Sequence, residues 1–103
     1  MVLAELTIFP TDKGVSVSQY VARVIDTIHK SGLRYQLTPM STIVEGTMEQ
    51  VQDLITRCFR ALEPDCERIN ISVKIDYRRG DTSRMLTKIQ KVESILGHEA
   101  GRR

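Results

Sequence analysis

Residues 35–46 read Tyr-Gln-Leu-Thr-Pro-Met-Ser-Thr-Ile-Val-Glu-Gly. Two short runs of alternating apolar residues flank a Pro39-Met40 corner, and Gly46 stands directly before a helix start signal at Thr47. Proline and its neighbours make the corner a turn, and period-two alternation on both sides makes it a hairpin. A helical pattern precedes this hairpin and another follows it.

Working outward, residues 2–9 alternate, with Val2, Ala4, Leu6 and Ile8 on one side and Leu3, Glu5, Thr7 and Phe9 on the other. This predicts a strand that Pro10 ends. Ser16 with Gln19 fits a capping box, and Val15 and Tyr20 are spaced for a hydrophobic staple. Val17, Tyr20, Val21, Val24, Ile25 and Ile28 recur at helical spacing, and Gly32 closes that helix. After the hairpin, Thr47 with Gln50 repeats the capping box. Met48, Val51, Leu54, Ile55, Cys58 and Leu62 form a second stripe, which Glu63-Pro64-Asp65 stops. Residues 68–77 predict the cleanest strand, with Ile69, Ile71, Val73, Ile75 and Tyr77 on its inner face. A last helix is expected from about Ser83 to Ile95 or Leu96, ended by Gly97 and followed by a frayed tail.

The order β-α-β-β-α-β plus a terminal helix predicts an α+β, ferredoxin-like βαββαβ sandwich with an antiparallel sheet and an additional C-terminal helix. Residues 1–103 are expected to form one domain, the chain being near the commonest domain size. The first and third strands are expected to be central and parallel to each other. Both helix N-termini, at Ser16 and Thr47, then open on one rim, where Glu45 also lies and where an anion could be held. The second face of the sheet is a mixed polar surface of Glu5, Thr7, Arg34, Gln36, Asn70, Ser72, Lys74 and Asp76, with Leu3 and Phe9. It is expected to meet a second copy: Lys74 and Asp76 offer both charge signs, so the contact is not repulsive, and a short chain with an open sheet and an extra helix needs something to cover its edges.

Composition narrows the classes. Apolar residues make up 41% and charged residues 27%, ordinary for a globular chain, and the formal charge of +2 is too small to imply a polyanion partner. Cys58 and Cys66 form no CxxC, and His29 and His98 lie far apart, so reduced, packed cysteines are expected in place of a disulfide or a zinc site. The opening residues lack a basic n-region and Glu5 interrupts their apolar run, so a strand is expected there and not a signal peptide. No apolar run reaches the ~18 residues of a membrane span. A cytoplasmic protein with no membrane partner is the expectation.

The hairpin stretch Tyr35–Gly46 resembles the signature of a small family of thiamine-binding proteins related to the YkoF-type thiamine and hydroxymethylpyrimidine binders. The opening strand with Pro10, the run Ser16-Val17-Ser18-Gln19-Tyr20-Val21, Ser31-Gly32-Leu33, the strand Arg68–Arg79 and Lys91-Val92-Glu93 resemble that family's other segments in order. The resemblance covers nearly the whole chain and implies a ferredoxin-like fold, a dimer or tetramer, and non-catalytic binding of thiamine or its pyrimidine part, with no cofactor beyond that ligand. It departs from the pattern at Ser41, where a glycine is common.

An aminopyrimidine needs an acceptor for its amine and hydroxyls or amides for its ring nitrogens, together with an apolar or aromatic surface for its faces. Ser16, Thr42, Glu45 and Asn70 are the candidates for the polar contacts, and Phe9, Tyr35 and Met40 for the flat ones; Thr38 joins them from the family motif. The Pro-Met corner lies at the rim opposite Glu45, so this set spans two places unless a second subunit or the sheet surface joins them.

The alternative is a nucleic-acid-binding ferredoxin-like module. The Lys/Arg-Gly-Phe/Tyr consensus is absent and the last strand turns Tyr77 inward, leaving Phe9 on the open face, so nucleic acid is not the expected partner. Catalysis is not expected either: no His-carboxylate pair, activated Cys or metal-ligand spacing stands out.

Overall fold

The computed structural model describes residues 1–15, 17–79 and 84–98. Its elements are β1 (Val2–Pro10), α1 (Ser18–Lys30), β2 (Arg34–Leu37), β3 (Thr42–Gly46), α2 (Met48–Leu62) with a 3-10 turn at Glu63–Asp65, β4 (Ile69–Tyr77) and α3 (Arg84–Leu96). The sheet runs β2-β3-β1-β4, which is the ferredoxin-like order with an extra C-terminal helix. Its ladders β1–β3, β1–β4 and β2–β3 are all antiparallel.

The expected parallel pairing of the first and third strands is therefore wrong. The α1 crossover brings β2 back parallel to β1, and the hairpin then turns β3 to run against both. Register fixes the consequence: Gly46 sits across from Val2 and Thr42 across from Leu6. The ends of β1 and β3 thus lie at opposite ends of the sheet, and the N-termini of α1 and α2 open on opposite rims.

Local chemistry explains the elements. Thr47 caps α2 by the expected box: its hydroxyl accepts from the Gln50 backbone at 3.1 Å and its own N–H donates to the Gln50 side chain at 2.9 Å. α1 opens differently. It begins at Ser18 behind Val17, which makes no side-chain cap bond; Ser16 lies outside the described residues. Val15 is 99% exposed, so the staple to Tyr20 does not form. Gly32 follows α1 at φ +77°, the left-handed conformation that stops a helix at low cost.

The core lies between one face of the sheet and the two helices. Val2, Ala4, Leu6 and Ile8 of β1 and Val44 of β3 meet Tyr20, Val24 and Ile28 of α1 and Val51, Leu54, Cys58 and Leu62 of α2, with Cys66 at the margin. Both cysteines are free and buried in this cluster, and burial pushes the Cys58 thiol up to about 11. Outside the core, the paired guanidinium of Arg23 grips Asp65 with two 2.8 Å bonds and stacks 4.9 Å from the Tyr20 ring centroid.

The roof stops at β1. Ile71, Val73 and Ile75 keep 37–39% of their surface and Tyr77 keeps 63%, although they share the helix side with Ile8, Leu6, Ala4 and Val2 across the ladder. The expectation that this apolar face packs beneath the helices is corrected here, because α1 and α2 are spent on β1 and β3. α3 goes to the other side: Lys88 Nζ lies 3.6 Å from Oδ2 of Asp76, which registers with Leu3 on the second face. Val92, Ile95 and Leu96 of α3 are exposed. The expected turn at Gly80-Asp81 and the tail beyond His98 lie outside the described residues.

Candidate functional site

The hairpin corner builds one wall of a cavity. Thr38 holds the corner shut by itself: its N–H and its hydroxyl both donate to the Ser41 carbonyl at 2.9 Å, and its Oγ1 accepts from the Ser41 and Met40 amides at 3.1 and 3.3 Å. This is a side-chain mimic of a backbone turn. Among the described residues no non-glycine has a positive φ, so Ser41 fits where its pattern elsewhere carries glycine. Its hydroxyl instead donates to Glu5 Oε2 at 3.3 Å, and Thr7 Oγ1 reaches the Met40 carbonyl at 3.5 Å. The corner is thereby tied to β1.

Between this corner, the far half of β1 and the underside of α1 lies a cavity of about 200 Å³. Leu6, Ile8 and Phe9 come from β1, Val21 and Ile25 from α1 with Val17 just ahead of it, and residues 37–42 close the end. The walls are mainly aliphatic. The polar groups are those of Thr7, Thr38, Ser41 and Thr42, and no charged side chain is in the lining. An open groove of about 670 Å³ adjoins it on the outer side of α1, sharing Val17, Val21, Ile25 and Leu37 and ending at Asp26, His29 and Tyr35. There the Tyr35 hydroxyl and His29 Nδ1 are hydrogen-bonded at 2.9 Å, with the rings edge to face. Asp26 is paired with Lys30 at 2.8 Å.

The expected site residues divide accordingly. Phe9, Thr38, Met40 and Thr42 come together around the cavity, Met40 being 85% exposed at its mouth. Tyr35 stands in the adjoining groove. Asn70 is paired with Phe9 across the β1–β4 ladder and lies outside the lining. Glu45 is at the far end of β3, 4% exposed, on the sheet face away from α1 and α2, since it registers with Leu3 and Arg34. Ser16 lies outside the described residues. The sequence reading missed the α1 wall. Val17, Val21 and Ile25 read only as members of one apolar helical stripe, yet they are half-buried; a stripe wider than one packed face was the available signal. It also missed the bond between His29 and Tyr35.

Among the described residues, no group of three or more His, Cys, Asp or Glu side chains is disposed to hold a metal ion. No helix among them is long and apolar enough to cross a membrane.

A family described as thiamine-binding protein matches residues 4–93. A UPF0045 protein of Methanocaldococcus jannaschii is 30% identical over 91% of this chain and 94% of its own length. One from Methanothermobacter thermautotrophicus is 33% identical over 92% of this chain and 96% of its own. Among solved structures, a hypothetical protein from M. jannaschii superposes with a TM-score of 0.81 at 30% identity, covering 88% of this chain and 94% of that one. A putative thiamine biosynthesis/salvage protein from Thermotoga maritima does so with a TM-score of 0.77 at 26% identity, covering 88% and 97%. With a family model spanning most of its length and relatives matched nearly end to end, the chain belongs to the thiamine-binding protein family.

Proposed function

We propose that this protein binds a thiamine-class ligand without chemical conversion, and that the cavity at the Pro39-Met40 corner receives the uncharged aminopyrimidine ring. The observation that carries this reading is the cavity's lining: aliphatic walls for the flat faces of a ring, a few hydroxyl and backbone groups at one end, and no formal charge. Size supports it as well. About 200 Å³ is below the roughly 300–1,000 Å³ of sites for drug-sized molecules, so the cavity takes one ring and not a two-ring cofactor whole. The second, cationic ring of thiamine would then lie in the adjoining groove, where the Tyr35 ring offers a face suited to a cation. Membership in the thiamine-binding protein family supports the same reading. The residues assigned to the site are Phe9, Met40 and Thr42 with Val17, Val21 and Ile25. Thr38 serves as the residue that holds the corner.

Calorimetric titration with hydroxymethylpyrimidine, thiamine and thiamine diphosphate tests the reading. The pyrimidine and thiamine are expected to bind saturably and to compete, with the diphosphate adding little. Val21→Phe, which fills the cavity, should remove binding while the melting transition stays cooperative. Glu45→Gln should leave the dissociation constant within about twofold, since a group off the lining contributes no direct hydrogen bond. Heats indistinguishable from dilution for all three compounds would end the proposal.

A further inference from the structure

The open groove outside α1 is mainly apolar along its sides and polar at one end, where Asp26 and His29 of α1 stand with Tyr35 of β2. Tyr35 packs against the core cluster while lining the groove. Its hydroxyl meets His29 Nδ1 at 2.9 Å, with the two rings at 88°. The bond is made at the tip of the phenol, so the imidazole does not lie flat on the ring. The fixed charges nearby cancel. Asp26 and Lys30 are paired at 2.8 Å, and that hydrogen bond pushes the Lys30 ammonium up, so it stays charged. Arg34, beside Tyr35 on β2, alternates to the opposite face of the sheet. Among the described residues of the lining, His29 is of the type that changes charge between about pH 5 and 8.

We propose that His29 sets the charge preference of this groove: neutral, it tunes Tyr35 to hold a cationic ring, and protonated, it disfavours one. The inference rests on the reading that the second, cationic ring of a thiamine-class ligand lies here, and it adds the residue that regulates that contact. Two effects act in the same direction. In the neutral imidazole with its hydrogen on Nε2, Nδ1 accepts from the Tyr35 O–H. A phenol that donates its hydrogen gains electron density in its ring, and an electron-rich face is the better partner for a cation. In the protonated imidazole both ring nitrogens carry hydrogens. Nδ1 must then donate to the phenol oxygen, which draws density out of the ring. The imidazolium also stands as a like charge beside the thiazolium. His29 is exposed, so water and salt weaken that repulsion, and a change in affinity of about three- to tenfold is the expected size. The cavity lining contains neither His29 nor Tyr35, so an uncharged pyrimidine is not under the same control.

Calorimetric titration at about pH 8 and about pH 5.5 tests it, with thiamine and with its uncharged analogue in which a thiophene ring replaces the thiazolium. The readout is the ratio of the two dissociation constants, thiamine over analogue, because both ligands carry the same aminopyrimidine. In the wild type this ratio should rise about threefold or more from the higher pH to the lower. His29→Asn, whose side-chain carbonyl can accept from Tyr35 but never carries charge, should show no such rise. His29→Lys, a cation at both values, should hold the ratio high already at about pH 8. A wild-type ratio that does not move overturns the proposal, and so does a rise that persists in His29→Asn. Hydroxymethylpyrimidine, titrated alongside, separates this proposal from the reading beneath it. Saturable binding of the pyrimidine with a flat thiamine ratio removes only the role of His29, whereas no binding by any of the compounds removes both.

Discussion

Along β1, Val2, Ala4, Leu6 and Ile8 keep 5% of their surface or less; across the ladder, Tyr77, Ile75, Val73 and Ile71 of β4 keep between 37% and 63%. Both rows are apolar, both alternate with a row that carries polar residues, and both face the helix side of one sheet. They differ because two helices of 13 and 15 residues roof the central strands and reach no further. Alternation therefore reports which residues share a face. Whether that face is covered depends on how far the roof extends, and that is a property of the assembled layers.

The largest effect that would sharpen this contrast is a pair of truncations. Leu54→Ala removes a side chain that is 1% exposed in the middle of the core and should cost about 2–5 kcal/mol in urea unfolding. Val73→Ala, in the bare row, should cost under about 1 kcal/mol at low protein concentration, because little of its contact area is made within one chain. A Val73→Ala loss as large as that of Leu54→Ala in dilute solution would break the comparison.

The contrast also shows what the chain disclosed in advance. Strand and helix order followed from hydrophobic period, and the hairpin from Pro39-Met40, because both are local properties. The Thr47–Gln50 box was legible for the same reason. Strand direction was not local: the parallel pairing expected of β1 and β3 failed because one crossover and one hairpin have to be counted together. The site suffered from that error. Phe9, Thr38, Met40 and Thr42 meet at one end of the sheet, whereas Glu45 belongs to the other because β3 runs against β1. The α1 wall of the cavity stayed hidden, since Val17, Val21 and Ile25 look in sequence like any core stripe.

A smaller effect separates the two roofing helices. α2 is held at its start by reciprocal bonds between Thr47 and Gln50, while Val17 ahead of α1 makes no side-chain cap bond. Thr47→Ala should therefore cost about 1 kcal/mol, measured by thermal or urea unfolding. Val17→Ala should cost no capping energy, only the loss of its half-buried contacts. Equal effects on cooperativity and on the cap-dependent slowing of amide exchange in both first turns would show that the capping box is not what fixes the roof.

The smallest effect concerns the joint between the roofed half and β4. Two carboxylates span it: Asp65 takes both prongs of Arg23 from α1, and Asp12, after β1, accepts from the Glu67 amide at 2.9 Å just ahead of β4. The Arg23 hydrogen bonds hold Asp65 below the ordinary 3.8, and the Glu67 amide holds Asp12 below it. A carboxylate whose native pKa is depressed binds its proton first in the unfolded chain. Its contribution is thus complete above the unfolded value and is lost as pH falls through the native one. Both groups face solvent, so the effect is modest and screened by salt. Melting temperature should accordingly hold down to about pH 5 and decline below about pH 4. Asp65→Asn should lower it at neutral pH and flatten the acid decline, because the substituted side chain has no proton to gain. Arg23→Lys should behave in the same direction despite keeping the charge, since an ammonium cannot reproduce the two-pronged grip. An acid decline equally steep in wild type and Asp65→Asn would move the pH dependence away from Asp65, leaving Asp12 as the carboxylate that ties the uncovered strand to the rest of the sheet.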